Sequence, residues 1–280
     1  MIFDTIIPVS YKDCKFLRKN IPWIRKNIDT DIIYVLTNSR CFAEFSSTFC
    51  DQYGVQLIDE NKLLPYLSFS SVKSILSRNG KENVTGWYFQ QFLKIGFALS
   101  EYAKDYYLIW DSDTVPLQKI SFFENNNILL NPKKEHHQPY FDTIKKLFNV
   151  DSFANYSFIS EHMMIDTSIM REMISVISKD NNWVDTILSN CDYSINQSFS
   201  EFETYGTYCL NYHPNKYTTR NLSTLRCGGM LFGRQVSQKE LENLSLDFDT
   251  ASFERGQYPR FPFSIVSKID RLLIEIKYKY

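Results

Sequence analysis

The first 110 residues alternate between short apolar runs and amphipathic segments, and this alternation limits the possible folds more than any other feature of the sequence. Three runs predict β-strands: FDTIIPV (3–9), DIIYVLT (31–37) and VQLID (55–59). The segments between them, 12–28 and 41–54, have apolar residues at helical spacing, and Gly54 ends the second at a common C-terminal cap position. Strand–helix–strand units with short links form parallel strands joined by right-handed crossovers. The sequence therefore predicts an α/β fold whose sheet carries helices on both faces.

Chain length and composition agree with one large domain. The chain has 280 residues, of which 44% are apolar and 16% aromatic, enough for a sizeable core. It contains no repeat, low-complexity tract or Gly/Ser linker, so we predict a single domain spanning 1–280. The net charge of −1 excludes the general basic field that drives nucleic-acid binding.

The N-terminus and the cysteines bear on the compartment. The segment MIFDTIIPVS lacks the charged and apolar regions of a signal peptide, and no window reaches the roughly 18 apolar residues that cross a bilayer. Six cysteines occur without a CxxC pair. We therefore expect reduced thiols in the core, rather than a disulfide framework or a zinc site, and a cytoplasmic location.

The apolar run YYLIW (106–110) ends directly at a pair of aspartates, Asp111 and Asp113. Two other DxD pairs, at 29–31 and 247–249, do not follow a predicted buried strand. In open α/β sheets, ligands bind beyond the carboxyl ends of the strands, and Mg²⁺ or Mn²⁺ commonly bridges carboxylates to substrate phosphates. The pair therefore predicts a metal site for a nucleotide ligand, and the alternative is a turn that only closes the strand.

Three segments together resemble a known group of enzymes. WDSDTVPL, with GWYFQQFLK upstream and FSEFETYG downstream, is similar to the DxD region and flanking stretches of GT-A-fold glycosyltransferases, nearest to the bacterial enzymes that build capsule, O-antigen or lipooligosaccharide. The resemblance implies a GT-A-like, Rossmann-type sheet with a nucleotide-sugar-binding half (1–117) and an irregular acceptor-binding half (118–280). It also implies a UDP-sugar donor, Mn²⁺ or Mg²⁺, and a lipid-linked glycan acceptor at the inner face of the cytoplasmic membrane.

The resemblance assigns site residues by position. It implies that Asp113 is the principal metal ligand, that Asp111 touches the ribose or the metal, and that a further ligand comes from the C-terminal half, for which His213 is the candidate. Tyr11 would stack on uracil. The other expected donor contacts are Pro8, Val9, Ser10, Thr37, Asn38 and Ser112.

The segment GWYFQQFLK predicts one helical face that carries Trp87, Gln90, Gln91 and Lys94, at spacings i, i+3, i+4 and i+7. An indole, two amides and an ammonium suit sugar hydroxyls and a diphosphate, with Lys94 offsetting the charge of the leaving group. The alternative is a solvent-exposed face beside an apolar stripe.

Candidates for acid–base chemistry lie in the second half. Glu201 and Glu203 are candidate general bases for an inverting transfer, because such a base must reach the acceptor hydroxyl. The competing interpretation is a helix cap: if Ser200 caps the helix, Glu201 occupies its first position and points outward. Glu161 and His162 lie in a strand-like run that sends them to opposite faces, as acceptor or donor-sugar contacts or as structural residues.

Two further features leave alternatives open. The basic first helix and the basic C-terminus (Lys268, Arg271, Lys277 and Lys279) suit peripheral contact with an anionic membrane, or are solvated surfaces. A sugar-1-phosphate nucleotidyltransferase is a rival function, although PVSYKDCK lacks the glycine-rich loop that class needs after the first strand. A non-catalytic glycan-binding module is a second rival, and it leaves the strand-end aspartates unexplained.

Overall fold

The computed structural model describes residues 1–150, 154–233, 235–258, 262–266 and 269. The chain forms two compact units. The first comprises Met1–Arg18, Thr30–Ser112 and Ser121–Asn221; the second comprises Lys19–Asp29, Asp113–Ile120 and the chain from Leu222 onward. Each unit therefore draws segments from both predicted halves.

The elements are numbered in chain order. The strands are β1 (Asp4–Val9), β2 (Ile33–Thr37), β3 (Val55–Asp59), β4 (Tyr106–Trp110), β5 (Thr114–Pro116), β6 (Phe123–Glu124), β7 (Asn127–Leu130), β8 (His162–Asp166), β9 (Tyr217–Thr219), β10 (Thr224–Leu225) and β11 (Thr250–Ser252). The α-helices are α1 (Cys14–Asn27), α2 (Ser47–Tyr53), α3 (Phe69–Ser77), α4 (Thr85–Gly96), α5 (Gln138–Phe148), α6 (Thr167–Ile177), α7 (Trp183–Asn190), α8 (Glu201–Tyr212), α9 (Gly228–Phe232) and α10 (Gln238–Leu244). Short 3₁₀-helices cover Ser39–Glu44, Glu82–Val84, Phe97–Leu99, Pro214–Lys216 and Arg255–Gln257.

The main sheet of the first unit has the strand order β3-β2-β1-β4-β8. The strands β1 to β4 pair in parallel, and β8 is antiparallel to β4. The predicted α/β sheet is thus confirmed for its first four strands. The carboxyl ends of β1, β2 and β4 lie at one edge, because these neighbouring strands run in the same direction.

The core of the first unit is built from this sheet and the helices packed on it. Side chains of β4 (Tyr107, Ile109) and of β8 (Met163, Ile165) share this core with aromatic and aliphatic side chains of α4, α6 and α8, and nearly all are fully buried. Aromatic rings dominate the packing, as the aromatic composition predicts. This packing fixes α4 and α8 beside the sheet edge at which β4 ends.

One helix that the sequence predicts is divided into two in the structure. The single helix expected over 41–54 is split into a 3₁₀-helix and α2, because the Ser46 side chain accepts a hydrogen bond from Phe49 N–H and starts a new helix. Gly54 has φ 60° and ψ 44°, so the predicted left-handed cap is confirmed.

The apolar run LSTLRCGGMLFG (222–233) predicts a strand, but only Thr224–Leu225 forms one, and residues 228–232 form α9. Its two glycines explain the difference. A Cβ on Gly228 would lie 2.6 Å from the carbonyl oxygen of Ser252, and one on Gly229 2.5 Å from that of Glu254. The apolar run therefore packs as a short helix against neighbouring backbone.

The expectation of six reduced thiols is wrong for one pair. Cys14 at the start of α1 and Cys41 in the first 3₁₀-helix form a disulfide, with their Cα atoms 6.3 Å apart. The two cysteines follow neighbouring parallel strands, so they lie side by side despite a sequence separation of 27. The free cysteines are Cys50, Cys191, Cys209 and Cys227.

The second unit contains a small sheet of order β10-β11-β5, in which β11 pairs antiparallel with β5. Asn27 Nδ2 donates to the carbonyl of Pro116 at 2.7 Å, and Trp23 Nε1 donates to Gln238. No helix within the described ranges is long and apolar enough to cross a membrane. The basic C-terminal residues named above (Lys268, Arg271, Lys277 and Lys279) lie outside the described residues.

Candidate active site at the carboxyl edge of the sheet

The first predicted donor segment lies where β1 ends. Pro8 and Val9 are buried in the strand, whereas Ser10 and Tyr11 are exposed beyond it. Ser10 Oγ donates to a carboxylate oxygen of Asp13 at 2.6 Å. Tyr11 has 60% of its surface exposed, so its ring is available to a ligand.

The second donor segment follows β2. Thr37 is fully buried and its hydroxyl donates to the Val9 carbonyl at 2.7 Å, so this side chain joins two strands rather than facing a ligand. Asn38 is half-buried and its Oδ1 accepts from the Arg40 N–H at 3.1 Å. Glu60 lies beside Asn38, directly after β3. Burial raises the pKa of Glu60 to about 7, although a hydrogen bond with the Asn38 side chain lowers it in part. In the sequence, Glu60 is marked only by its position as an acidic residue after the third strand, so it was not predicted as a site residue.

Lys94 connects two carboxylates at the end of β4. Its Nζ donates to Asp111 Oδ1 at 2.7 Å and to Glu201 Oε1 at 2.6 Å. The ammonium also lies 4.5 Å from the ring centroid of Phe202. Lys94 and Glu201 are buried, whereas 32% of the Asp111 side chain is exposed. The three side chains therefore form one ion cluster that reaches the surface at Asp111.

Burial and the neighbouring charged groups together determine the pKa values in this cluster. Burial lowers the pKa of Lys94, but Asp111 and Glu201 raise it by more, so the ammonium stays charged. Burial raises the pKa of Asp111 to about 6, opposed by Lys94 and assisted by Glu201. The cluster therefore combines one ammonium group with two carboxyl groups.

The predicted polar face of α4 exists but is largely turned inward. Gln91 is buried: its Oε1 accepts from the Glu201 N–H at 3.0 Å and its Nε2 donates to the Trp87 carbonyl at 3.3 Å. Trp87 and Gln90 are half-buried. The solvent-face alternative therefore does not describe Gln91 and Lys94, which hold α8 beside α4.

Ser200 caps α8 by accepting from the Glu203 N–H, as the capping pattern predicts. The expectation that Glu201 would then point outward is wrong, because 5% of this residue is exposed and its carboxylate bonds Lys94. Glu203 is fully buried and accepts from Ser157 Oγ at 2.7 Å and from the Phe158 N–H at 2.9 Å. In the structure Glu203 therefore anchors the segment before β8.

Glu161 and His162 lie next to the end of β4, since Asp111 N–H donates to the Glu161 carbonyl at 2.9 Å. The Glu161 carboxylate pairs with Lys133 at 3.1 Å. The His162 ring stacks on Trp110 with centroids 4.9 Å apart, and burial lowers its pKa well below the ordinary value. Neither ring nitrogen has a hydrogen-bond partner within the described part of the chain. His162 is thus a neutral imidazole in an apolar setting.

The candidate third metal ligand is not brought to this edge. His213 caps the C-terminus of α8, and its Nε2 lies 3.1 Å from the Glu172 carboxylate. Glu201 starts the same 12-residue helix, so the two ends are separated by about 18 Å at 1.5 Å per residue. Ser112 ends a segment of the first unit and Asp113 begins one of the second, where its carbonyl accepts from the Phe253 N–H.

The fold resembles solved glycosyltransferase structures. Mouse xyloside xylosyltransferase 1 in its apo form matches with a TM-score of 0.50 and 8% identity, over 93% of this chain and 100% of that chain. The galactosyltransferase LgtC, solved with donor and acceptor sugar analogs, matches at a TM-score of 0.48 and 9% identity, over 97% of this chain and 95% of that chain. The xylosyltransferase likeness shows a shared fold, and it confirms the predicted GT-A-type architecture.

The sequence comparisons identify the family but no characterised relative. No curated protein matches the sequence significantly. One family model matches residues 7–224, a range that holds most of the main sheet, the DSD segment, α4 and α8. Since this match covers more than half of the chain, the protein belongs to the family of unknown function DUF6492.

Proposed function

We propose that the protein is a glycosyltransferase that moves a sugar from a nucleotide-sugar donor to a hydroxyl of a glycan acceptor. One observation carries this proposal: the Lys94–Asp111–Glu201 cluster lies at the carboxyl ends of parallel strands, where α/β sheets bind nucleotides. The fold shared with a solved xylosyltransferase supports the same reaction class. The exposed ring of Tyr11 at the same edge is suited to stack on a base, and UDP is the donor nucleotide we propose.

A divalent cation suits the chemistry of this edge. Carboxylate oxygens are the ligands that Mn²⁺ and Mg²⁺ prefer, and the cluster carries an excess negative charge around Asp111. Within the described residues no group of three His, Cys, Asp or Glu side chains could hold a metal, so water and the donor diphosphate must complete the coordination. We propose Asp111 as the protein ligand in the first unit; Asp113, the other ligand that the DxD pattern predicts, belongs to the second unit. When bound, the cation would stabilise the charge of the departing nucleoside diphosphate.

Lys94 acts in this proposal as a positioning residue rather than a direct phosphate contact. Its ammonium is buried, and it donates to two carboxylates instead of facing solvent. By holding Asp111 Oδ1, it fixes the orientation of the carboxylate and leaves Oδ2 for the cation. Gln91 supports the same arrangement, because it binds the first N–H of α8.

Glu201 remains our candidate for the base of an inverting transfer. Its Oε1 is held by Lys94, and Oε2 has no hydrogen-bond partner among the residues that the structure describes. A base must lie within hydrogen-bond reach of the acceptor hydroxyl. Product stereochemistry tests this assignment: an inverted anomeric centre supports it, and retention with unchanged turnover in Glu201→Gln contradicts it.

The acceptor that we propose is a bacterial surface glycan built on a lipid carrier. Peripheral contact with the inner membrane through the exposed basic side chains of Lys12, just before α1, and Lys15, in its first turn, would bring the site to such a carrier. Co-sedimentation with vesicles that contain anionic lipid tests this contact, and equal sedimentation with neutral vesicles would contradict an electrostatic origin.

Calorimetric titration of UDP, with and without Mn²⁺, tests the donor site. We expect Mn²⁺-dependent binding that weakens at least tenfold in Asp111→Asn. The matched control is Asp247→Asn in the exposed DFD segment, which should bind like the wild type. UDP affinity that is the same with and without Mn²⁺, and the same in Asp111→Asn, would contradict a metal ion in the donor site.

The two rival functions give different outcomes. A nucleotidyltransferase would release pyrophosphate from UTP and a sugar 1-phosphate, whereas the proposed enzyme would release UDP from an intact UDP-sugar. A non-catalytic glycan-binding module would bind glycans and give no metal-dependent UDP binding.

A further inference from the structure

Two aromatic rings form a surface beside the ion cluster. Trp87 in the first turn of α4 and Tyr140 in the first turn of α5 lie with their planes 18° apart and their centroids 6.5 Å apart. We call this pair the aromatic wall. Trp87 is half-buried, so part of its indole is open to solvent. His137 packs edge-on against Tyr140 at 4.4 Å, and its Nε2 lies 2.8 Å from the Gln197 carbonyl, which ties the wall to the segment before α8.

The wall carries hydrogen-bonding groups that the protein does not satisfy. Tyr140 is 8% exposed, yet its hydroxyl has no hydrogen-bond partner among the described residues. Its oxygen is not among the fully buried, unpaired polar atoms of the described residues, so it is open to solvent or to a ligand. Gln90, one turn from Trp87 on the same face of α4, has an amide side chain that likewise makes no hydrogen bond within the described ranges. An apolar ring surface flanked by an amide and a phenol matches a ligand with one apolar face and several hydroxyls.

The charges near the wall favour a neutral ligand. Burial raises the pKa of Tyr140 to about 12, and the negative charges of Glu201, Glu135 and Glu203 add to this effect. The hydroxyl therefore stays protonated as a donor. The one buried cation of the adjoining ion cluster, Lys94, is already bound to two carboxylates. An acidic ligand would meet uncompensated negative charge here.

The wall is connected to the ion cluster by direct contacts. Gln91 bonds the Trp87 carbonyl and the Glu201 N–H, and Glu201 bonds Lys94, which bonds Asp111. Along α4, Trp87 and Lys94 are seven residues apart, about 10 Å at 1.5 Å per residue. Trp87 therefore lies about two helical turns from the ion cluster, on the same face of α4.

We infer that Trp87 and Tyr140 form the acceptor subsite, on which a neutral pyranose ring stacks while Gln90 and the Tyr140 hydroxyl bind its hydroxyl groups. The inference rests on the proposed glycosyltransferase function and names the acceptor class of that site. It assigns Trp87 to the acceptor rather than to the donor. Tyr140 is a residue that sequence analysis did not single out.

Saturation-transfer NMR with three neutral disaccharides, maltose, cellobiose and lactose, tests the subsite directly. We expect saturation transfer to at least one of them with the wild type, a loss of more than fivefold in Trp87→Ala, and a smaller loss in Trp87→Phe, which retains a ring. Tyr140→Phe retains the ring and removes the hydroxyl, so it should weaken binding less than Tyr140→Ala. The control is Tyr212→Ala, an exposed tyrosine at the far end of α8, which should bind like the wild type.

The outcomes separate this inference from the proposed function. No transfer to any of the three sugars with the wild type, or undiminished transfer in both Trp87→Ala and Tyr140→Ala, overturns the acceptor subsite. Wild-type UDP binding, measured on the same preparation, reports the donor site independently. Metal-dependent UDP binding without sugar binding would therefore refute the acceptor subsite at the aromatic wall and leave the proposed function unaffected.

Discussion

Replacement of Lys94 by methionine removes the ammonium that two buried carboxylates share. Methionine has a similar length, so the change deletes the charge with little change in packing volume. The Glu201 side chain is 7% exposed and cannot recover its hydration, whereas Asp111, at 32%, recovers part of it. Stranding one partner of a buried ion pair costs about 3–5 kcal/mol, and the partial exposure of Asp111 places our expectation near the lower limit, about 3 kcal/mol.

Urea denaturation, followed by tryptophan fluorescence, measures this loss of unfolding free energy. The control is Lys73→Met on the exposed face of α3, for which we expect a change within about 0.5 kcal/mol. The double variant Lys94→Met/Glu201→Gln removes the stranded charge as well. It should be more stable than Lys94→Met alone by roughly 1–2 kcal/mol, because the buried carboxylate is gone.

Two results would refute the reasoning. A loss below about 1 kcal/mol in Lys94→Met would mean that the ion cluster is not buried as described. A double variant less stable than Lys94→Met would mean that Glu201 contributes mainly through contacts other than the ammonium.

Three further predictions concern the rest of the first unit. Gly206→Ala should destabilise the fold by about 1–3 kcal/mol, because its Cβ would lie 2.2 Å from the Phe158 ring; Phe158→Leu should recover part of the loss in thermal unfolding. Reduction should lower the melting temperature of the wild type and leave that of Cys14→Ser/Cys41→Ser unchanged, since closing this loop with a disulfide stabilises the fold by about 3–4 kcal/mol. Glu60 has a folded pKa raised from 4.5 to about 7, so its protonated form is favoured by folding and stability falls as pH rises through that window. Glu60→Gln should therefore stabilise by roughly 2 kcal/mol at pH 8 and by almost nothing at pH 4, and equal effects at both pH values would contradict this.

The sheet and the edge at which its parallel strands end could be predicted because their signals are local. Each of β1 to β4 is a short apolar run, and parallel neighbours necessarily end at one edge. The same logic placed Tyr11, Asn38 and Asp111 together. Helix α8 and its Ser200 cap were also visible in the sequence, since the capping pattern spans only four residues.

The contacts that organise the site could not be predicted, because they join distant parts of the chain. Lys94 lies 17 positions from Asp111 and 107 from Glu201. The capping pattern indicated where α8 begins and not which side packs on α4, so the capping interpretation placed Glu201 toward solvent while the other interpretation kept it as a candidate base. The disulfide could not be predicted for the same reason: its cysteines become neighbours only after β1 and β2 pair.

Turnover of intact nucleotide sugars tests the central proposal most directly. Wild-type protein with Mn²⁺, a panel of UDP-sugars and neutral disaccharide acceptors should release UDP and form a longer saccharide. Asp111→Asn should lose at least 100-fold of this activity, while Asp247→Asn should retain it. Two results would contradict a UDP-sugar transferase that works at the edge where β4 ends. One is equal release of UDP by the wild type and Asp111→Asn, and the other is no release of UDP from any sugar of the panel by folded wild-type protein.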